Sequence, residues 1–230
     1  MIYNEQLYFE RLSRKAKVVQ TDCGLSLVTD IAKLRTFEEE HPDLPLGMIR
    51  NQDGNKHYYD FCMDVYFNKK SGSFFRYCSV EYPYSGAAVL AVFSLSGKRY
   101  YLLNRQYRPF LGKTVLEIPR GFSETGDSAF RTAAKELREE SGLDISEGII
   151  KSLGFVSSDS GLTNNMTELF LVEYITEKQT VPSEAEMIFE QKLVPEAALY
   201  RMIAEGELSD GFTLAALVKF MAKNAEITDD

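Results

Sequence analysis

The chain has 230 residues, 44% of them hydrophobic and 26% charged, which is an ordinary composition for a globular protein with a sizeable core. Its 34 acidic and 26 basic residues give a formal net charge of −8, and this balance argues against non-specific nucleic-acid binding, which needs a basic surface. Three cysteines without paired spacing and two histidines without motif context argue against a zinc site and against histidine-based nucleophilic catalysis.

Residues 1–80 predict a small, mostly β subdomain. Alternating stretches such as HYYDFCMDVYF are typical of half-buried strands, and turn-forming segments such as HPDLPLG separate them. The pattern also allows a helix near residues 27–40. The amino terminus lacks the apolar segment of a secretory signal, and no apolar run reaches the roughly 20 residues that span a bilayer. We therefore expect a cytoplasmic protein without membrane contacts.

Residues 81–226 predict a second domain in which strands and helices alternate. Apolar segments at 86–95 and 99–107 flank the turn SGK and predict a β-hairpin. Further strands are expected over residues 114–119, 149–158, 167–175 and 186–194. Helices are expected over residues 128–141, 195–205 and 212–224. This order of elements predicts the α/β class, with a mixed sheet sandwiched between helices.

The helix predicted over residues 128–141 carries an acidic cluster. Glu136, Glu139 and Glu140 are neighbours on one face because they are three and four positions apart. The preceding loop, PRGFSETGD, contains two glycines, which allow a backbone to approach a ligand closely. Hard divalent cations prefer oxygen ligands, so the cluster predicts a magnesium site for phosphoryl chemistry. On the cluster alone, a solvated acidic face in which Lys135 and Glu139 pair is the commoner arrangement, because charged runs on helices are frequent.

The spacing around this cluster resembles a family signature. From Gly121 the chain reads glycine, five residues, Asp127, seven residues, then KELREESGL over 135–143. This is similar to the Nudix hydrolase signature Gx5Ex7REUxEExGU, in which U is aliphatic. Asp127 and Lys135 stand where the family has glutamate and arginine. The resemblance covers residues 84–224. It implies a Nudix-type α/β/α sandwich that cleaves nucleoside diphosphates linked to another group, with Mg²⁺ or Mn²⁺ as cofactor.

The resemblance also implies roles for individual acids. Glu136 and Glu140 would be the principal metal ligands, and the backbone carbonyl of Arg120 would be a further ligand. Glu139 would bind the metal or act through its water shell in catalysis. Glu184 and Glu186 match an E-x-E loop, in which one glutamate activates water and the other reaches a metal. We assign Glu184 to catalysis and Glu186 to the metal; on the residues alone, both could equally be solvated acids.

Two further stretches resemble one branch of the family. RQYRP at 105–109 and LEIPRGF at 116–122 look like the sequences that precede the signature in ADP-ribose pyrophosphatases and other nucleoside diphosphate-sugar hydrolases. Arg105, Arg108 and Arg120 are therefore expected to bind substrate, since arginine binds phosphate bidentately. Arg120 replaces the alanine that is usual in this branch. The alternative for Arg105 and Arg108 is pairing with acidic neighbours at a strand end.

Mg²⁺- or Mn²⁺-dependent hydrolysis of ADP-ribose or a related nucleotide sugar is the leading expectation. It would yield a nucleoside monophosphate and a sugar phosphate. The resemblance also implies a homodimer formed through the amino-terminal region. The alternatives are a hydrolase of UDP-sugars, GDP-sugars or dinucleotides, a hydrolase of oxidised nucleoside triphosphates, and a Nudix-fold regulator that binds nucleotide without cleaving it. The intact glutamates argue against the regulator, whereas Asp127 and Lys135 are small points in its favour.

Overall fold

Two β-sheets organise the chain, and each belongs to a separate unit. The computed structural model describes residues 2–3, 5–15, 24–54, 56–175 and 188–224. One unit comprises Met1–Pro83 with Asp159–Asn164, and the other comprises Tyr84–Ser158 with Asn165–Asp230. Among the described residues, no helix is both long enough and apolar enough to cross a membrane.

The first unit contains two helices and, among its described residues, a five-stranded sheet. Its elements are β1 (Ile2–Tyr3), α1 (Glu5–Lys15), β2 (Leu25–Leu27), α2 (Ile31–Glu40), β3 (Gly47–Asp53), β4 (Lys56–Asn68) and β5 (Ser73–Glu81). The strand order is β1-β3-β4-β2, with β5 also paired to β4. Tyr8 and Leu12 of α1 are buried with Leu34 and Phe37 of α2, so both helices cover this sheet's core.

The second unit contains, among its described residues, a seven-stranded sheet and three helices. Its elements are β6 (Gly86–Leu95), β7 (Lys98–Arg108), β8 (Lys113–Glu117), β9 (Arg120–Phe122), α3 (Ala129–Ser141), β10 (Ile149–Ser157), β11 (Met166–Tyr174), β12 (Ile188–Pro195), α4 (Glu196–Ala204) and α5 (Gly211–Asn224). The strand order is β10-β11-β6-β7-β12, with β8 paired to β7 and β9 to β6. The β11–β6 pair is parallel and the other pairs are antiparallel, so the sheet is mixed.

Alternate residues of β6 divide the core of the second unit into two layers. Ala87, Val89 and Ala91 join the cluster that contains Leu137 of α3. Ala88, Leu90 and Val92 join the cluster that contains residues of α4 and α5. Because side chains alternate across a strand, this buried strand serves both faces. The helices lie on opposite faces of a mixed sheet, which confirms the predicted α/β/α sandwich and its mostly β companion.

Candidate active site

Helix α3 begins and ends where the sequence predicts. The Ser128 side chain accepts a hydrogen bond from the backbone N–H of Arg131 at 3.2 Å and caps the first turn. Gly142 has φ of 70°, a left-handed conformation that favours glycine at the end of a helix. Leu137 and Ala133 are fully buried against the sheet. These residues fix the rotation of α3, and therefore the direction of each glutamate on it.

Glu136 lies against the glycine loop that precedes α3. Its side chain is buried, and its carboxylate packs so closely on the α-carbon of Gly121 that a methyl group there would overlap it. Gly121 does not have a left-handed φ, so glycine is favoured at this position by the close approach of Glu136 and not by backbone conformation. The Glu136 carboxylate is therefore held next to the Arg120–Gly121 peptide.

Glu140 is held by two strands of the sheet. It is only 2% exposed, and its Oε2 accepts a hydrogen bond of 2.6 Å from Nδ2 of Asn104 on β7. Nε2 of Gln191 on β12 donates to the backbone carbonyl of Glu140. That carbonyl lies in the last turn of α3, where carbonyls lack intrahelical partners. The carboxylate and the backbone carbonyl of Glu140 are thus both held by hydrogen bonds from strands of the sheet.

A polar row crosses the sheet beneath α3. Glu117, Asn104 and Gln191 are neighbours in register on β8, β7 and β12. Asn104 Oδ1 and Gln191 Oε1 are buried and accept no hydrogen bond from the part of the chain that the structure describes, whereas Glu117 Oε1 lies 2.7 Å from Arg108 Nη2. Buried acceptor oxygens without donors are costly unless water or a cation satisfies them. The region around Glu140 is therefore rich in hard oxygen atoms, the ligand type that Mg²⁺ and Mn²⁺ prefer.

Glu139 differs from the two other glutamates of the signature. It is exposed and lines a cleft of about 270 Å³ together with Lys135 and Arg138. Lys135 donates a 2.6 Å hydrogen bond to Glu124, and this bond raises the pKa of Lys135.

Among the residues that the structure describes, no three His, Cys, Asp or Glu side chains are gathered closely enough to hold a metal ion. Glu184 and Glu186 lie outside the described residues.

The three arginines expected to bind substrate all face carboxylates. Arg105 is half-exposed, and its Nη1 lies 3.6 Å from Glu190, its cross-strand neighbour on β12. Arg108 and Arg120 converge on Glu117, with Nη2 of each guanidinium 2.7 and 2.9 Å from its two oxygens. Glu117 is almost completely buried. The pairing with acidic neighbours that the sequence left open for Arg105 and Arg108 is therefore present.

A family model described as the NUDIX domain matches residues 84–213, which is more than half of the chain. The chain belongs to the Nudix family. An uncharacterized Nudix hydrolase of Schizosaccharomyces pombe is 34% identical over 86 residues, which cover 37% of this chain and 41% of that protein. An ADP-ribose pyrophosphatase of Bacillus subtilis is 28% identical over 138 residues, 59% of this chain and 73% of that protein.

An ADP-sugar pyrophosphatase of Mus musculus is 37% identical over 71 residues, 31% of this chain and 32% of that protein. The chain thus spans less than half the length of the Schizosaccharomyces pombe and Mus musculus relatives. The names of the Bacillus subtilis and Mus musculus relatives are those of the branch that the RQYRP and LEIPRGF stretches resemble.

The two departures from the Nudix signature are Asp127, a partly buried residue of the loop before α3, and Lys135, an exposed residue of α3. Asp127 lies 3.4 Å from Arg131, one helical turn along the chain, and Lys135 pairs with Glu124 of the loop. Both side chains thus link the loop to the helix. Exposed pairs of this kind contribute little to stability, so the two substitutions leave the buried side of the Nudix helix intact.

Sequence reasoning missed Asn104, Gln191, Glu117 and Asp210 as members of the site. Asn104 interrupts the apolar run YYLLN of β7, and Glu117 belongs to the quoted LEIPRGF stretch. These were available signals, because a polar residue inside a buried strand needs a partner. Nothing in the local sequence of Gln191 or Asp210 indicates a role, since their partners are 51 and 90 positions away.

Proposed function

We propose that this Nudix protein hydrolyses the diphosphate bond of ADP-ribose or a related nucleoside diphosphate-sugar, with Mg²⁺ or Mn²⁺, to a nucleoside monophosphate and a sugar phosphate. One observation carries this proposal. Two signature glutamates, Glu136 and Glu140, are buried on the sheet side of α3, one against Gly121 and the other on Asn104. A solvated helix face would leave both carboxylates exposed to water, so their burial favours a cation-binding role, in which a bound ion offsets the cost of burying the charge.

The oxygen-rich surroundings of Glu140 fit a hard divalent cation. We propose Glu136, Glu139, Glu140 and the carbonyl of Arg120 as ligands, with Glu186 from outside the described residues. A bound divalent ion would neutralise the diphosphate and lower the pKa of the attacking water. The protein's own contribution is to hold its carboxylates rigidly: Gly121 leaves room for Glu136, while Asn104 and Gln191 fix Glu140.

The remaining roles concern the water and the substrate. Glu139 is exposed in its cleft and Glu184 lies outside the described residues, and we propose that they orient the attacking water and accept its proton. Arg105 is half-exposed and only loosely paired with Glu190, so its guanidinium is available to a phosphate group. Arg108 would have to exchange part of its contact with Glu117 for the substrate. We also propose that the protein forms a homodimer through its amino-terminal region and that it is located in the cytoplasm.

The test is a substrate panel with product identification. The protein is incubated with Mg²⁺ or Mn²⁺ and ADP-ribose, UDP-glucose, GDP-mannose, NADH, diadenosine polyphosphates or dGTP, and nucleoside monophosphates are separated by chromatography. We expect AMP and ribose 5-phosphate from ADP-ribose, and no product when the metal is chelated. Tight ADP-ribose binding without any product would instead indicate a nucleotide-binding regulator.

A matched pair of variants connects this activity to the site. Glu140→Gln keeps the shape of the side chain but removes its charge, and we expect turnover to fall about 10²–10³-fold, as when a preorganised charged group is lost. Glu207→Gln makes the same change at an exposed position outside the site and should leave turnover unchanged. Full activity in Glu140→Gln would refute the assigned role of Glu140.

A further inference from the structure

The side chain of Arg120 makes three contacts within the second unit. Its Nη2 donates a 2.9 Å hydrogen bond to Oε2 of buried Glu117 and lies 3.6 Å from Oδ1 of Asp210. Its guanidinium carbon lies 4.8 Å from the centre of the Phe212 ring, within range of a cation–π interaction. Only a quarter of the side chain is exposed. Because Nη2 faces two carboxylates, the guanidinium lies near an aromatic ring and most of the side chain is buried, Arg120 is poorly placed to bind a substrate phosphate.

These contacts join two parts of the fold. Asp210 caps helix α5, because its Oδ2 accepts hydrogen bonds from the backbone N–H and the hydroxyl of Thr213 at 2.8 and 2.7 Å. The Thr213 hydroxyl oxygen in turn accepts from the backbone N–H of Ile118 at 3.0 Å. The start of α5 is therefore bound to the segment 117–120 through both a backbone group and the Arg120 side chain.

The backbone of Arg120 is part of the candidate site. Strand β9 pairs with β6, with Arg120 opposite Ala88 and Gly121 opposite Ala87. The Glu136 carboxylate packs directly on Gly121. The backbone of Arg120 thus lies beside α3, while its side chain contacts the start of α5.

We propose that Arg120 is a positioning residue, whose guanidinium holds the Arg120–Gly121 peptide in place by linking it to Glu117, Asp210 and Phe212. This inference rests on the proposed function, in which the carbonyl of that peptide is a metal ligand. It replaces the substrate contact that the sequence led us to expect for the Arg120 side chain. Arginine suits this role, because the face of a planar guanidinium can lie over an aromatic ring while its N–H groups point to carboxylates, a geometry that the compact lysine ammonium reproduces less well.

Two variants and a control test this role. Arg120→Lys keeps the charge but loses the planar fork. Asp210→Asn removes one charge facing Arg120 and keeps a good helix cap, since asparagine and aspartate cap helices equally well. Arg201→Lys is the control, because it makes the same arginine-to-lysine substitution at an exposed position on α4. Thermal denaturation of the metal-free proteins checks that each variant folds.

The deciding readout is the Kd for Mn²⁺, measured by calorimetry without substrate. We expect Arg120→Lys to weaken Mn²⁺ binding about tenfold or more, the usual effect of removing a group that orients a metal ligand. Asp210→Asn should weaken it by a smaller factor, and Arg201→Lys should match the wild type. At saturating Mn²⁺ the KM for the nucleotide should change less than about twofold in all three proteins, because no substrate contact is lost.

Other results would overturn the inference. Unchanged Mn²⁺ affinity with a raised KM in Arg120→Lys would show that Arg120 touches the substrate. Unchanged affinity, KM and kcat would show that the Arg120 contacts serve stability alone. Failure of the proposed function would be distinguishable from these results. In that case the wild type itself would neither bind Mn²⁺ nor release nucleoside monophosphate.

Discussion

Glu136, Glu139 and Glu140 occupy one helix but three environments. Glu136 contacts the Gly121 backbone, Glu140 accepts a hydrogen bond from Asn104, and Glu139 faces an open cleft. Their spacing predicted that they would be neighbours, but it could not predict burial, which depends on the strands below. At the residue scale, the site is therefore defined as much by Gly121 and Asn104 as by the acids.

Removing the amide of Asn104 should destabilise the metal-free protein. In Asn104→Ala the buried Glu140 carboxylate loses a 2.6 Å hydrogen bond, and bonds to charged groups contribute about 1.5–3 kcal/mol. We expect the free energy of unfolding, measured by urea denaturation, to fall by that amount. Ser94→Ala, at an exposed position of β6, is the control and should change it by less than about 0.5 kcal/mol. Equal stability of the two variants would contradict this account of Glu140.

A methyl group at Gly121 should disable the site. Gly121→Ala places its β-carbon within the volume of the Glu136 carboxylate, which must move away from the loop. We expect kcat to fall by about 10²-fold, because small displacements of catalytic groups have effects of this size. Gly211→Ala is the control, since a β-carbon there meets nothing within 4 Å. Wild-type kcat in Gly121→Ala would show that Glu136 can leave the loop without consequence.

At the element scale, α3 combines the most predictable features of the chain with some that were not predictable. Ser128, Gly142 and the apolar stripe were all readable locally, because caps and periodicity are properties of neighbouring residues. In the sequence Phe130 falls on the same apolar stripe as Ala133 and Leu137, yet it is 45% exposed and makes a T-shaped ring contact with Phe170. The stripe is wider than the face that the sheet can cover.

The end of α3 offers a test of its backbone geometry. Gly142 has φ of 70°, which costs a side-chain-bearing residue roughly 1–2 kcal/mol. We expect Gly142→Ala to lower the free energy of unfolding by about that amount in chemical denaturation. Gly142→Asn should lower it less, because asparagine tolerates the left-handed region better. Identical losses in the two variants would indicate that contacts rather than backbone conformation favour glycine here.

Helix α1 and strand β9 were not anticipated from the sequence, for different physical reasons. The first 80 residues read as mostly β, but Tyr8 and Leu12 lie four apart and are both buried on one face of α1. That helical spacing was a usable signal. Strand β9 has three residues, RGF, and its pairing with β6 is a long-range contact that no local pattern encodes.

At the scale of the whole molecule, a buried ion network stabilises the first unit. Arg11 forms hydrogen bonds of 2.8 and 2.9 Å with Asp64 and of 2.7 Å with Glu81, and Lys15 lies 2.6 Å from Glu81. Burial by itself would raise the pKa of Glu81, but Arg11 and Lys15 outweigh it and lower this pKa to about 2. These four residues connect α1, β4 and β5, so the network spans the unit from helix to sheet.

The network predicts a specific acid sensitivity. Because the pKa of Glu81 falls from its ordinary 4.5 to about 2 on folding, its contribution is complete above pH 4.5 and is lost as the pH falls through 2. A shift of this size corresponds to about 3 kcal/mol. Between pH 5 and 2 the wild type should lose about that much more unfolding free energy than Glu81→Gln, measured by urea denaturation. Parallel pH profiles would contradict the assignment.

The fold class and the signature acids were predictable because binary pattern and motif spacing are local. The supports of the acids were not, because Asn104 and Gln191 reach Glu140 from strands 36 and 51 positions away. The roles of Arg108 and Arg120 depended on Glu117, a residue whose burial only the assembled sheet determines. Long-range pairing thus decides which charged residues are available to a ligand.

We propose that the buried edge of α3 binds a divalent cation for a diphosphate substrate. The most direct measurement is the anomalous scattering of crystals grown with Mn²⁺ and ADP-ribose. We expect a manganese peak bound by Glu136, Glu140 and the carbonyl of Arg120, beside the diphosphate. A map with no manganese at these groups, or with both glutamates turned to bulk solvent, would contradict it.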